Sequence, residues 1–338
     1  MTTKVLPPRR LAVAPMIDWT DRHCRFFHRQ ITKHTWLYTE MITTGAILHG
    51  DSERHLQFSD IEHPIALQLG GSDPLELASA AKKGEQWGYD EINLNCGCPS
   101  ERVQKGSFGA CLMDEPNLVA DCVKAMKDVV DVDVTVKHRI GINDVQSYDY
   151  LSNFVGVVAD AGCKTFIVHA RNAILKGLSP KENREIPPLK YEYAYQLKKE
   201  FPNLEILING GIKTYDEIDL HLQHVDGVMI GREAYHNPYM MLEFDQRYYG
   251  SQEAKATRLE VIQNMIPYIH DQLQRFGENG KGLKLNSITR HMLGLTVGLI
   301  GARAYRQILS DSKRLNASGP ELLLEALAKV QIDSANVD

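Results

Sequence analysis

The sequence predicts an α/β protein, a (β/α)8 TIM barrel followed by an all-helical C-terminal domain. Three observations predict it. Eight short apolar or alternating segments recur within about 220 residues, most of them separated by stretches of helical character. A polar or soft residue stands just past each one: Met16, Glu40, Gln68, Asn95, Lys137, His169, Asn209 and Arg232. No Gly-x-Gly-x-x-Gly follows the first segment, which disfavours a doubly wound dinucleotide-binding sheet of the same alternation.

Residues 11–14 read as the first strand, ended by Pro15. Thr20 is placed as the N-cap of a helix over 21–30. The second strand, 36–39, ends at Glu40, and residues 43–49 make a poor helix. The third, 64–69, is closed by Gly70-Gly71, after which Asp73-Pro74 opens a helix with proline in its first turn. The fourth, 91–95, alternates polar and apolar residues, and Gly97 and Pro99 exclude regular structure behind it. A long loop then precedes a helix over 116–128. Strands five and six, 132–137 and 165–169, flank a helix over 147–161 closed by Gly162. An insertion over 170–189 leads into a helix over 191–201. Strands seven and eight, 205–208 and 227–230, flank a helix over 214–222. Segments that are apolar throughout suit strands buried on both faces. From about residue 247 the pattern is helical over 253–276, 288–297, 302–310 and 320–332, with breaks at 277–280 and 298–301. The expected domains are therefore 1–246, the barrel, and 247–338, the helical domain.

A chain of 338 residues with 43% hydrophobic content can bury a sizeable core. Its net charge of −5 gives no global attraction to nucleic acid or anionic membrane. Basic charge is local instead. Residues 275–314 carry eight Lys and Arg against two acids, and residues 170–190 five against two, which points to phosphate contact there. Six cysteines are too sparse for a disulfide framework, and the lone Cys96-Gly97-Cys98 pair has no second cluster to complete a metal site. Met1-Thr2-Thr3-Lys4 opens no apolar signal stretch, and no run of about 18 apolar residues occurs. A monomer in a reducing cytoplasm, without metal or membrane, is expected.

In a barrel the eight strand tips share the C-terminal mouth, where active sites sit. Cys98 stands on a loop just past a strand tip and is the candidate for the chemistry; a buried thiol in a tight turn is the structural alternative. Asn209-Gly210-Gly211 and Gly231-Arg232 form a phosphate cradle, with backbone N–H groups and a guanidinium as donors. Lys137 and His169 add positive charge beside it. A flat, electron-accepting ring with a phosphate tail suits this mouth, with Lys137 holding charge on the reduced ring and Gln68 bonding its polar edge.

Ala14-Pro15-Met16-Ile17-Asp18-Trp19-Thr20-Asp21, Gln68-Leu69-Gly70-Gly71, Asn93-Leu94-Asn95-Cys96-Gly97-Cys98-Pro99, Lys137-His138-Arg139, His169-Ala170-Arg171, Asn209-Gly210-Gly211 and Gly227-Val228-Met229-Ile230-Gly231-Arg232 occur in this order. Together they resemble the tRNA-dihydrouridine synthases over residues 11 to 310. The insertion 176–189 resembles the DusA subfamily, which implies D-loop positions 20 and 20a. The resemblance implies an FMN enzyme with NADPH as reductant and tRNA as substrate. It assigns FMN to Pro15, Met16, Ile17, Gln68, Lys137, His169, Asn209, Gly210, Gly211, Gly231 and Arg232, and the target base to Asn95. Cys98 becomes the acid that protonates C5 while hydride goes to C6, so it must keep its proton, and no strong cation is expected against its sulfur. A uracil inside folded tRNA must be extruded to reach such a mouth. Lys181, Arg184, Arg290 and Arg303 are the candidate RNA contacts. Two alternatives stand beside this reading: an FMN barrel acting on a free pyrimidine, as dihydroorotate dehydrogenase does, and a non-catalytic RNA-binding barrel.

Overall fold

The computed structural model describes residues 5–145, 147–277 and 282–332. Among them, nine strands form one parallel sheet: β1 Leu11–Val13, β2 Leu37–Tyr38, β3 Ile42–Thr43, β4 Ile65–Gly70, β5 Glu91–Cys96, β6 Asp133–Arg139, β7 Thr165–His169, β8 Glu205–Asn209 and β9 Gly227–Ile230. Their order is β1-β9-β8-β7-β6-β5-β4-β2. The ring closes just ahead of β2, where Val13 N donates to Trp36 O (2.8 Å) and Trp36 N to Leu11 O (3.0 Å). Eight strands thus make the expected barrel. β3 is a further two-residue pairing on β4 that the sequence reading did not contain. The weak helical segment after it is a real helix, Thr44–His49, because the Thr43 side chain accepts from Ala46 N (3.3 Å) and caps it.

Every second strand residue faces the barrel axis. Ala12, Ala14, Trp36, Tyr38, Ala66, Ile167, Leu207 and Met229 pack there as one apolar cluster. β5 departs from the ordinary meaning of alternation, in which polar residues face water. All six of its residues are buried. Ile92 and Leu94 take the outer face, where Ile92 meets Gly84 of the helix Pro74–Trp87. Glu91, Asn93 and Asn95 therefore point inward. Arg9 closes the N-terminal end, donating to Glu91 (2.6 Å), Glu205 (2.9 Å) and Asp133 (2.7 Å) and lying over the Trp36 ring.

The chain divides into two compact units, one of Thr35–Gly231 with the residues up to Thr20, the other of Asp21–His34 with the residues from Arg232 on. This corrects the expected boundary at 246/247. The helix Arg22–Arg29 belongs with the later helices because its polar groups find their partners there. Asp21 pairs with His291 (3.0 Å) and Arg290 (3.1 Å), and His23 bonds Tyr268 (2.7 Å). Asp21, not Thr20, caps this helix by accepting from His23 N and Cys24 N; Thr20 instead accepts from Met16 N (2.9 Å). The described part of the second unit is helical, as expected. Its pieces are shorter than the periodicity suggested: the reading 253–276 becomes Arg258–Phe276 behind a Thr257–Glu260 capping box, and 288–297 reduces to Leu285–Thr289 and one turn, Arg290–Met292. The start Met1–Lys4 and most of the break at 277–280 lie outside the described residues.

Candidate active site

Inward parity on the strands brings Gln68, Asn95, Lys137, His169 and Asn209 to the C-terminal mouth, with Gly231 just past β9. The loop after β5 is shaped by Asn95, whose Oδ1 accepts from Gly97 N (3.1 Å) and Cys98 N (3.0 Å). Cys98 is half-buried, and its Sγ donates to Ser100 Oγ at 3.7 Å. The Ser100 hydroxyl also accepts from Val103 N and caps the short helix Glu101–Lys105, within the stretch expected to be a long loop. Cys98 O accepts from Ala110 N (2.9 Å), and a Cβ on Gly109 (φ 76°) would meet that oxygen at 2.6 Å, so glycine is required there. Cys96, two residues earlier, faces outward and is fully buried, and burial pushes its thiol well up. Of the pair, Cys98 is the one on the mouth.

Lys137 Nζ donates to Asn209 Oδ1 (3.2 Å), and Asn209 Nδ2 to Met229 O (2.7 Å). Burial, with Arg139 beside it, pushes the Lys137 ammonium down to about 7. Burial and the cations Arg139, Lys137, Arg171 and Arg184 push His169 well below its ordinary value, so its imidazole is neutral at pH 7. Lys137 and Arg139 lie within electrostatic range of the Cys98 sulfur, whose hydrogen-bond partner is the Ser100 hydroxyl.

Arg139 stands in the Lys137-His138-Arg139 motif, but the sequence assigns it no role. Buried at the end of β6, it donates from Nε to Gly97 O (3.2 Å) and from Nη1 to Asn172 O (3.0 Å) and Asn183 O (2.8 Å). It thereby ties the Cys98 loop to the insertion. Gln104 does the same from the other side, donating to Pro99 O (2.7 Å) and Leu175 O (2.8 Å). The available signal was an arginine at an inward position of a buried strand.

At the end of β8, Gly210 (φ 124°) and Gly211 (φ 76°) adopt left-handed backbone. A Cβ on either would press within about 3 Å of Leu189, and on Gly210 also of His169. A Cβ on Gly231 would meet only Ala14, at 3.9 Å, so the space over that turn is open. Arg232 follows as the first residue of the helix Arg232–His236. Pro15 and Met16 are half-buried after β1, and Ile17 is 54% exposed. Of the candidate RNA contacts, Lys181 and Arg184 are exposed on the insertion, and Arg184 acts electrostatically on His169 and Arg139. Arg290 is exposed but engaged with Asp21, and Arg303 is exposed on the helix Ala302–Ile308. Among the described residues there is no cluster suited to a metal and no helix long and apolar enough to cross a membrane.

A closed parallel barrel with a thiol loop on one strand tip, and cations and glycine turns on others, belongs to the class of (β/α)8 proteins, whose sites lie at the C-terminal mouth. Comparison narrows the class. The dihydrouridine synthase (Dus) family model matches residues 12–331, and the chain belongs to that family. It is 58% identical over 322 residues to a tRNA-dihydrouridine(20/20a) synthase of Vibrio parahaemolyticus, covering 95% of this chain and 97% of that one. A protein of the same name from Pseudomonas putida is 59% identical (91% and 90% covered), and one from Synechocystis sp. 57% (94% and 93%). A solved 2-naphthoyl-CoA reductase complex shares the fold at a TM-score of 0.53 and 10% identity, over 70% of this chain and 50% of that one.

Proposed function

We propose that this protein is a flavin-dependent oxidoreductase that reduces uridine to 5,6-dihydrouridine in tRNA, at D-loop positions 20 and 20a, with FMN as the flavin and NADPH as the electron source. The observation that carries the reading is the shared inward parity of Gln68, Asn95, Lys137, His169 and Asn209 around the Cys98 loop. The donor set suits FMN. Gly210 and Gly211 offer backbone N–H groups, the open turn at Gly231 leaves no Cβ in the way of a phosphate, and Arg232 supplies a bidentate charge. Pro15, Met16, Ile17 and Gln68 hold the ring, with Lys137 and the neutral His169 beside it. Bound there, FMN supplies the hydride that C6 of the uracil receives.

The chain's own groups do the rest. Asn95 orients the base, and the Cys98 thiol gives its proton to C5. Ser100 and the Asn95-bound backbone hold that thiol in place. Lys137, poised to gain a proton near neutrality, stabilises negative charge arising beside it. Lys181, Arg184, Arg290 and Arg303 grip phosphates around the extruded nucleotide.

The test is incubation of purified protein with NADPH and tRNA from a strain lacking dihydrouridine, read by mass spectrometry of nuclease fragments. Dihydrouridine at positions 20 and 20a supports the reading. Comparable turnover of free uridine, or product at other positions only, would overturn it.

A further inference from the structure

A single hydrogen-bonded column runs along the inside of the barrel from its closed end to the Cys98 loop. Thr135 Oγ1 donates to Glu91 Oε1 (2.6 Å), Asn93 Nδ2 to Thr135 Oγ1 (2.7 Å), Gln68 Nε2 to Asn93 Oδ1 (2.8 Å) and Asn95 Nδ2 to Gln68 Oε1 (2.8 Å). Every member is buried. The polarity is forced from both ends. At the top, the amides of Gly97 and Cys98 can only donate, so Asn95 must accept through Oδ1 and donate through Nδ2. At the bottom, the Glu91 carboxylate accepts from Thr135, from Tyr38 OH (2.7 Å) and from Arg9 Nε (2.6 Å). Each side-chain amide between has one orientation that satisfies its neighbours; a reversed one would set two donors or two acceptors face to face.

We propose that Glu91, Thr135 and Asn93 are positioning residues for the site. The carboxylate at the closed end of the barrel sets the polarity of the column. The column fixes Asn95 as the acceptor that shapes the Cys98 loop and as a donor toward the mouth. Asn95 Oδ1 is saturated by two backbone N–H groups, while Nδ2 spends one N–H on Gln68 and keeps the second. Asn95 therefore presents a donor and no acceptor to a ligand. A ring carbonyl matches it and an exocyclic amino group does not, so a donor set against position 4 of the ring accepts uracil and disfavours cytosine. This deepens the uridine reading above and rests on it.

The test uses the full-length, FMN-loaded protein as Thr135→Val, which keeps the shape and removes the hydroxyl, and Thr135→Ser, which keeps the hydroxyl. Two readouts are taken: steady-state reduction of tRNA uridine, and iodoacetamide alkylation of Cys98 resolved by mass spectrometry. Thr135→Val should lower kcat roughly 10- to 100-fold with KM for tRNA unchanged, and shift the alkylation rate by roughly threefold or more. Thr135→Ser should restore both. Parental kcat and alkylation in Thr135→Val would overturn the proposal, as would a Thr135→Ser protein impaired as much as Thr135→Val, since packing rather than the hydroxyl would then carry the effect. Should the parent protein itself fail to reduce uridine, the functional reading falls, and the alkylation comparison alone decides for or against the column.

Discussion

Replacing Arg9 with methionine tests how the closed end of the barrel is held. The Arg9 guanidinium meets three carboxylates of unequal weight. Asp133 is 62% exposed and Glu205 28%, so water screens both pairs and each contributes little. Glu91 is fully buried at 2.6 Å from Nε. Burial alone would push the Arg9 guanidinium down, yet Glu91 and Glu205 hold it well above its ordinary value. Arg9→Met keeps the packing against Trp36 but leaves the Glu91 carboxylate buried with only the Tyr38 and Thr135 hydroxyls as donors. Breaking one partner out of a buried pair costs about 3–5 kcal/mol. A unit of about 200 residues unfolds with an entropy near 0.4 kcal/mol/K, so Tm should fall by roughly 7–12 °C. Differential scanning calorimetry of the parent and Arg9→Met, at matched flavin occupancy, measures it. A fall no larger than that of an exposed-pair variant such as Lys33→Ala would refute the reasoning, because the buried Glu91 charge would then have found other compensation.

The remaining expectations concern the mouth. Cys98→Ala should retain FMN and NADPH oxidation but form no dihydrouridine, since only proton delivery is lost; normal product by mass spectrometry would place the acid elsewhere. Lys137 titrates near 7 in the free site, and an anionic ligand favours its ammonium form. Affinity for reduced FMN should therefore be highest below pH 7 and fall by at most about tenfold per pH unit above it, and anaerobic titration of Lys137→Met should lose that slope. Lys181→Ala with Arg184→Ala should weaken tRNA binding and reduce the log-log salt slope by about one per lost phosphate contact, as filter binding across ionic strengths would read. Arg232→Ala should release FMN on dialysis more readily than the parent; unchanged retention would move the phosphate away from the last strand.

Much of the barrel was readable because its signals are local. Apolar runs of strand length, the Asp73-Pro74 helix start and the glycines after the strands each act through neighbours a few residues away. The candidate site was readable for the same reason: a parallel barrel puts every strand tip at one mouth, so the residue after each strand is a candidate before any contact is known. Where local signals competed, the reading slipped. Thr20 and Asp21 are both good caps, and only the partners of Asp21 chose between them. The helix Arg22–Arg29 looked like part of the barrel by its place in the chain, yet its polar groups are satisfied by residues more than 200 positions later.

By itself the sequence determined the periodicity, the strand tips and the motifs that join this chain to its family. Tertiary structure alone decided which way the polar residues of β5 face, what Arg9 and Arg139 are for, and how Glu91 is connected to Cys98. The reason is physical. A buried polar side chain has no stable meaning until its partner is known, and the partners of Arg9 lie 82, 124 and 196 positions away. Sequence records that a charge is present; only the closed barrel brings the second charge to it and offsets the cost of burying it.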